Sequence, residues 1–414
     1  MRLIQLWARL FVASIGAGVV ALILTALGAA PSWADAVTGA TFATVGGLGV
    51  VVVVGSILRV RMLKSRLTRA VAARAGMTVD TPYDAIERAF APLVESRAVH
   101  DLSVAMVFRD GQVTWYPGGD QRDRESRLYE VGSLTKPMTA EVLAEMIADG
   151  MVTMAARVGD ILTDIALPTP VAGITLEELV THRSGLPRIP RSLGFGFAAL
   201  FSADPYSWLS SASLLDIFAR SQRTATPGTY SNFGFGILGY LLGKRHGSDY
   251  PHALEERLLR PLGLANTYVD PDSAIASRLA RGHDLIGVRT PRWHSGAIAG
   301  AGGVCMTIAD AATWLAAHVE PHDDFRNIVR MVTQPRAPLG GGQIGMGWCI
   351  HTAGETTVVW HNGGTGGFSS FAAFDPERGV GVIALAASFH TAALDRAGFA
   401  ALAECAARWG GGNY

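Results

Sequence analysis

The chain has 414 residues, 49% hydrophobic and 17% charged, with Lys+Arg and Asp+Glu equal at 35 each and a formal net charge of +0. That balance offers no basic surface for nucleic acid and no preference for an acidic partner, and the length allows one large domain or two medium ones with appendages. The three cysteines, Cys305, Cys349 and Cys405, are far apart, make no metal-ligand pattern such as C-x-x-C, and fit reduced, buried thiols better than a disulfide framework.

The apolar excess is concentrated in the first sixty residues. Residues 11–30 form an uncharged run of about 20 residues, enough to cross a hydrocarbon core, and residues 37–58 form a second. Glycines in both (Gly16, Gly18, Gly46, Gly47, Gly49) permit close packing, so 1–60 reads as a transmembrane hairpin and the protein as a multi-pass membrane protein. Arg2, Arg9 and Ser32-Trp33-Ala34 also describe a secretory signal peptide, which keeps a cleaved first segment open. Arg59, Arg61, Lys64, Arg66, Arg69 and Arg74 follow the second run, whereas the intervening loop has no Lys or Arg. The positive-inside rule therefore assigns the downstream domain to the cytoplasm, with the exported side as the alternative.

Residues 61–80 read as a basic linker, which a solvated helix would also satisfy. Thr81-Pro82 then opens a helix in cap-then-proline order, with Ile86, Phe90, Leu93 and Val94 on one face. Residues 102–108 and 112–116, joined by Arg109-Asp110-Gly111, read as a hairpin. A short strand near 127–130 leads into Ser133 and a helix to Ala148. From about 165 to 300 helical stretches (176–182, 213–220, 235–246, 251–259) alternate with Gly/Pro-rich loops, and 306–318 is a further helix. Strand patterns return at 356–360, 368–374 and 380–387, and a last helix covers about 392–408. Strands at both ends with helices between imply one sheet assembled from both termini plus a helical insertion.

Three segments carry chemistry. In Ser133-Leu134-Thr135-Lys136 a hydroxyl and an amine three residues apart share one helix face, so the amine can take the serine proton. This lysine is one of only three in the chain, with Lys64 and Lys244. Burial would lower its pKa toward that of a base, and the Ser133 N–H in the first helical turn can bind an oxyanion. In Tyr230-Ser231-Asn232 the phenol can relay a proton and the Asn232 amide can hold a substrate carbonyl. In His361-Asn362-Gly363-Gly364-Thr365-Gly366-Gly367-Phe368, which follows one strand pattern and precedes another, the glycines let a substrate backbone approach, Gly364 N–H is a second oxyanion donor, and His361 can contact substrate; a tight hairpin with a structural histidine is the alternative. The stretch from His318 to Asp324 has metal-capable side chains, but Pro321 breaks the helix that would align them, and it reads as an exposed loop. Gly340-Gly341-Gly342 lacks a phosphate-binding lysine. Phe195, Phe197, Phe201, Tyr206 and Trp208 are candidates for an apolar acyl pocket or for subdomain core.

Together with Thr181-His182-Arg183-Ser184-Gly185-Leu186-Pro187, Arg260-Pro261-Leu262-Gly263-Leu264 and Gly347-Trp348, these segments resemble the serine β-lactamase and penicillin-binding-protein superfamily over residues 82–410. The similarity is to the branch holding class C β-lactamases, D-alanyl-D-alanine carboxypeptidases and related esterases. The resemblance implies that Ser133 is acylated, that Lys136 and Tyr230 form the acid–base pair, and that Asn232, His361, Gly363 and Gly364 meet substrate. It also implies an α+β fold of the α/β-sandwich, β-lactamase/transpeptidase-like type: an antiparallel sheet flanked by helices, with an all-helical subdomain at about 165–300 of a catalytic domain at 81–414.

Two features depart from that pattern. His361 stands where β-lactamases usually carry lysine, and a neutral imidazole holds a carboxylate less firmly, which argues against efficient β-lactam hydrolysis. The basic flanks put the domain inside, whereas relatives acting on cell-wall peptides work outside. The expectation is a membrane-anchored serine hydrolase that cleaves an amide or ester of a small-molecule or peptide substrate, with no metal, no cofactor and no nucleic-acid partner. An acyltransferase using the same acyl-enzyme and a non-hydrolysing acylated sensor are the alternatives; Tyr230 favours turnover.

Overall fold

The computed structural model describes residues 34–117, 124–190, 204–224 and 226–411, with side chains from residue 54 onward. The first uncharged run, 11–30, therefore lies outside the described residues. The second lies within helix α1 (Ala34–Arg74). Among the described residues no helix is long and apolar enough to cross a membrane. The basic stretch expected as a linker continues this helix to Arg74. Its Leu63 is buried, its Leu67 packs on a hydrophobic core, and Arg74 pairs with Glu87 and Glu95.

Helix α2 (Pro82–Glu95) starts where the cap-then-proline order predicts. The Thr81 hydroxyl accepts from Asp84 N at 3.2 Å, and Thr81 N donates back to the Asp84 carboxylate at 2.9 Å. That reciprocal box satisfies two donors that the first turn leaves unpaired. The hairpin of β1 (Leu102–Phe108) and β2 (Gly111–Trp115) follows. Next come β3 (Tyr129–Glu130), a 3₁₀ turn at Gly132–Leu134, and α3 (Thr135–Ala148). Nearly all of α3 is buried, which fits a helix with no polar stripe.

The helical region contains α4 (Leu176–Val180), α5 (Ser211–Ala219) and α6 (Asn232–His246). A further helical stretch, from Tyr250, turns π-helical over Glu255–Leu259. Two short strands, β4 (Thr267–Val269) and β5 (Val304–Met306), bracket the rest of the insertion. They pair with β3 in a small sheet of order β3-β5-β4, so β3 is not part of the main sheet. Beyond it lie α7 (Ile308–Val319) and α8 (Asp323–Thr333). The expected 318–324 loop is thus mostly helix end and helix start. His318 is buried rather than exposed, and its Nε2 lies 2.9 Å from Glu141 of α3.

The main sheet completes with β6 (Ala337–Leu339), β7 (Gly342–Ile344), β8 (Cys349–Ala353), β9 (Thr356–Gly364), β10 (Ser369–Asp375) and β11 (Val380–Ala386). Helix α9 (Thr391–Trp409) closes the chain's described part. The sheet is antiparallel, in the order β2-β1-β11-β10-β9-β8-β7-β6, so both chain ends build it, as expected. Alternate residues face opposite layers. Val104, Met106, Phe371 and Ala384 pack with Phe90 of α2 and Leu394 and Ala401 of α9. Ala105, Val107, Phe374 and Ile383 face the core that holds α3, α6 and α7. Helices on both faces make β1, β10 and β11 buried throughout, an α+β sandwich. The three cysteines are free thiols.

Candidate active site

Two backbone ribbons meet at Ser133. The turn that carries it is tied to β5 by Val131 N donating to the Val304 carbonyl at 3.0 Å. The Thr135 hydroxyl donates to the Gly132 carbonyl at 2.7 Å, and Ser370 of β10 donates to the Val131 carbonyl at 2.6 Å. Gly132 sits at φ +52, and a Cβ there would come within 2.7 Å of Gly364 N. A Cβ on Gly363 would come within 2.0 Å of the Val131 carbonyl and 2.9 Å of Ser133 N. Glycine at both positions lets the end of β9 lie against the Ser133 turn. The backbone of Gly364 thereby lies beside that of Gly132, and the backbone of Gly363 beside Ser133 N.

Ser133 is partly exposed, while Lys136, one turn below, is fully buried. Lys136 Nζ lies 2.9 Å from Ser133 Oγ and donates to the Ala301 carbonyl at 2.7 Å. Burial first, and the charge of Arg188 second, hold its pKa well below the ordinary lysine value. A deprotonated amine with one N–H on Ala301 has a lone pair for the Ser133 proton. The Tyr230 ring packs 4.8 Å from Nζ, and its hydroxyl hydrogen-bonds Ser133. Burial pushes the phenol pKa up, so Tyr230 stays protonated and has a proton to give.

Two histidines flank Tyr230. His361, 2% exposed, has its ring centroid 6.0 Å from that of Tyr230. Its Nδ1 lies 2.6 Å from the Asn362 carbonyl, an oxygen that only accepts, so Nδ1 carries the proton. Burial, with Lys136 adding, pushes the imidazole down to about 3, so Nε2 of the neutral ring is an acceptor. His182, in the left-handed region at φ +58, lies 4.4 Å from the Tyr230 ring. Its Nδ1 accepts from Ser231 N at 3.1 Å, which leaves the proton on Nε2. Burial is again the largest cause that keeps this ring neutral.

The structure thus brings Ser133, Lys136, Tyr230, His361, Gly363 and Gly364 together. Asn232 joins them at the first position of α6, where Ser231 caps the helix by accepting from Gly234 N at 2.9 Å. The Asn232 side chain hydrogen-bonds Tyr206, and its Oδ1 has no hydrogen-bond partner among the described residues. Asn362 turns to the other side of β9, where it donates to Asp395 of α9 at 2.7 Å. Residues 361–364 are the end of β9, and 365–368 connect it tightly to β10, so the segment is a hairpin whose first strand carries His361, Gly363 and Gly364.

Residues that sequence reasoning did not assign to the site are His182, Arg188, Trp293 and Ala301, whereas Tyr206 was a candidate for an acyl pocket. The Arg188 guanidinium lies 5.1 Å from the Tyr230 centroid. Tyr206 meets Trp293 edge-on at 5.5 Å. Of the four, only His182 had a signal, in the Thr181–Pro187 stretch. Trp208 is partly buried against the core, and Phe195, Phe197 and Phe201 lie outside the described residues. No group of three or more metal-capable side chains occurs among the described residues.

Comparison with known proteins supplies a second, independent observation. Residues 86–407 match the family model described as Beta-lactamase. The chain is 29% identical over 340 residues to the unguisins hydrolase ungD' of Aspergillus campestris, covering 72% of this chain and 61% of that protein. It is 26% identical over 295 residues to the D-alanyl-D-alanine-carboxypeptidase/endopeptidase AmpH of Escherichia coli K12, covering 64% and 72%. Among solved structures, a class C β-lactamase from Rhodobacter sphaeroides aligns with TM-score 0.66 at 20% identity, covering 78% of this chain and 99% of that one. A β-lactamase from Sulfitobacter sp. EE-36 aligns with TM-score 0.68 at 21% identity, covering 80% and 99%. At these identities the structural likeness concerns the fold.

Proposed function

The chain belongs to the beta-lactamase family of serine hydrolases, and from that premise we propose that it cleaves an amide or ester bond through an acyl-enzyme on Ser133. The observation that carries this reading is the buried Lys136 amine, 2.9 Å from Ser133 Oγ and anchored on the Ala301 carbonyl. In the proposed cycle Lys136 accepts the Ser133 proton as Oγ attacks the substrate carbonyl. The N–H groups of Ser133 and Gly364 take the oxyanion, and the protonated Tyr230 supplies the leaving group's proton. Water then enters where the leaving group departed, and the same groups run in reverse to release the acid. Small-molecule esters and peptides are the substrate classes that this cleft and its hydrolase relatives suggest.

The same proposal attaches the protein to a membrane through its N-terminal segments, with the catalytic domain on the cytoplasmic side. Its support is the two uncharged runs, the exposed Val54, Ile57 and Leu58 on α1, and the basic residues that follow. Labelling intact and permeabilised cells with a fluorescent fluorophosphonate and a fluorescent β-lactam tests both parts. Ser133→Ala is expected to lose the label, and equal labelling of that variant would remove Ser133 from the mechanism. Labelling of intact cells by an impermeant probe would overturn the cytoplasmic placement.

A further inference from the structure

We propose that Arg188 is the anion anchor of this cleft, binding a carboxylate that the substrate carries close to its scissile bond. The inference rests on the reading of the cleft as a site for acyl substrates, and it specifies which ones.

The position usually held by a charged lysine is His361, and the geometry denies it that role. Its one ring proton is committed to the Asn362 carbonyl at 2.6 Å, and its other nitrogen, Nε2, is buried without a hydrogen-bond partner among the described residues. A neutral, buried ring offers a carboxylate neither charge nor donor. Lys136 is fully buried with its nitrogen between Ser133 and Ala301, and His182 is fully buried with Nδ1 on Ser231. None of these three offers a cation to an incoming substrate.

Arg188 does. Its guanidinium lies over the Tyr230 ring, 5.1 Å from the centroid, on an exposed residue that opens to solvent. The residue is not loosely attached, because its carbonyl accepts from Asn232 N at 2.9 Å and from Phe233 N at 3.3 Å, fixing it to the first turn of α6. The nearby Arg223, whose backbone packs on Gly185, is taken by Glu178, whereas Arg188 makes no ion pair with a described residue. A guanidinium keeps its charge at every working pH and grips a carboxylate with two parallel N–H donors. Its field reaches the site's interior, since it is among the causes that shift Lys136, His182 and Tyr230. The substrate class is therefore acyl compounds bearing a carboxylate, on either the acyl or the leaving-group side.

Three esters separate the cases: 4-nitrophenyl hemiglutarate (acyl-side carboxylate), the pentanoate of 5-hydroxy-2-nitrobenzoic acid (leaving-group carboxylate) and neutral 4-nitrophenyl pentanoate. Calorimetry in a Ser133→Ala background measures binding without turnover. We expect one anionic ester to bind more tightly than the neutral one. Arg188→Met should reduce that preference about ten- to a hundredfold, the span of a charge-assisted hydrogen bond. Arg188→Lys should restore part of it, and melting curves establish that each variant is folded. No preference for either anionic ester, or equal weakening of all three by Arg188→Met, would overturn the proposal. Turnover by protein with Ser133 intact is read separately. If no ester is hydrolysed while the preference persists, the hydrolase reading falls and the anion anchor stands.

Discussion

His361 Nδ1 stands 2.6 Å from the carbonyl oxygen of its own neighbour, Asn362, and that contact commits the ring's one proton. Nε2 is buried without a hydrogen-bond partner among the described residues, and the ring centroid lies 6.0 Å from that of Tyr230. A neutral, buried imidazole offers a substrate carboxylate neither charge nor donor. Histidine in place of lysine thus withdraws a cation without removing anything from the Ser133–Lys136–Tyr230 group.

The first prediction concerns Lys136. Lys136→Met fills the same volume with an apolar chain and should lower kcat by about 10²- to 10⁴-fold, the span of general-base catalysis. It should also raise thermal stability near neutral pH. The folded amine has a depressed pKa against 10.5 unfolded, so over the window between the two values the unfolded chain holds a proton that the folded one lacks. Stability of the natural protein therefore rises with pH through that window, and the variant's advantage should shrink as pH approaches 10.5. Melting curves at several pH values check this; a constant difference would contradict it.

Acid stability should carry the mark of His361. Its imidazole is pushed from 6.5 down to about 3 in the fold. Between those values only the unfolded chain is protonated, so stability falls with decreasing pH by up to about 1.4 kcal/mol per unit. His361→Gln lacks this titration. Its melting temperature should gain on that of the natural protein between pH 6.5 and pH 3, and parallel curves would refute the assignment.

Gly363→Ala should separate folding from catalysis. The added methyl would meet the Val131 carbonyl at 2.0 Å, Ser370 Oγ at 2.4 Å and Ser133 N at 2.9 Å, so β9 or the Ser133 turn must shift. Displacing an oxyanion donor lowers kcat about 10²- to 10³-fold. Steady-state kinetics on a chromogenic ester read this directly, and an unchanged kcat would show that the approach of the two ribbons is not needed.

Away from the cleft, a buried pair clamps α3 to α7. His318 Nε2 lies 2.9 Å from Glu141 Oε1, Trp314 Nε1 donates to Glu141 Oε2 at 2.8 Å, and both members of the pair have fully buried side chains. Removing one partner strands the other, so His318→Leu should destabilise the fold by about 3–5 kcal/mol. The double variant with Glu141→Leu should recover part of that loss. Denaturant unfolding of all four proteins gives the coupling, and additive effects would deny it.

How much of this was legible in the sequence follows the range of the interactions. Ser133 and Lys136 are set by helix geometry over three residues, and the long strands by a strong apolar pattern, so both could be read. Strands β6 and β7 span three residues each, too few for a period to emerge. Helix α8 hid behind the acidic start that suggested a loop, although Phe325, Ile328, Val329 and Val332 bury one face of it. The glycine-rich segment 361–368 could be read as a hairpin, but not that Gly363 and Gly364 belong to its first strand and permit the close approach of Gly132. Arg188 and Ala301 are distant in sequence from Ser133, and only the fold brings them near. No local pattern marks such residues.

The account's central claim is a covalent bond at Ser133 Oγ, and intact-protein and peptide mass measurement after rapid quench with a slowly released acyl ester tests it most directly. The account predicts one added acyl mass, located on the Ser133 peptide of the natural protein and absent from Ser133→Ala. An adduct on another residue, or the same adduct on the variant, would contradict it.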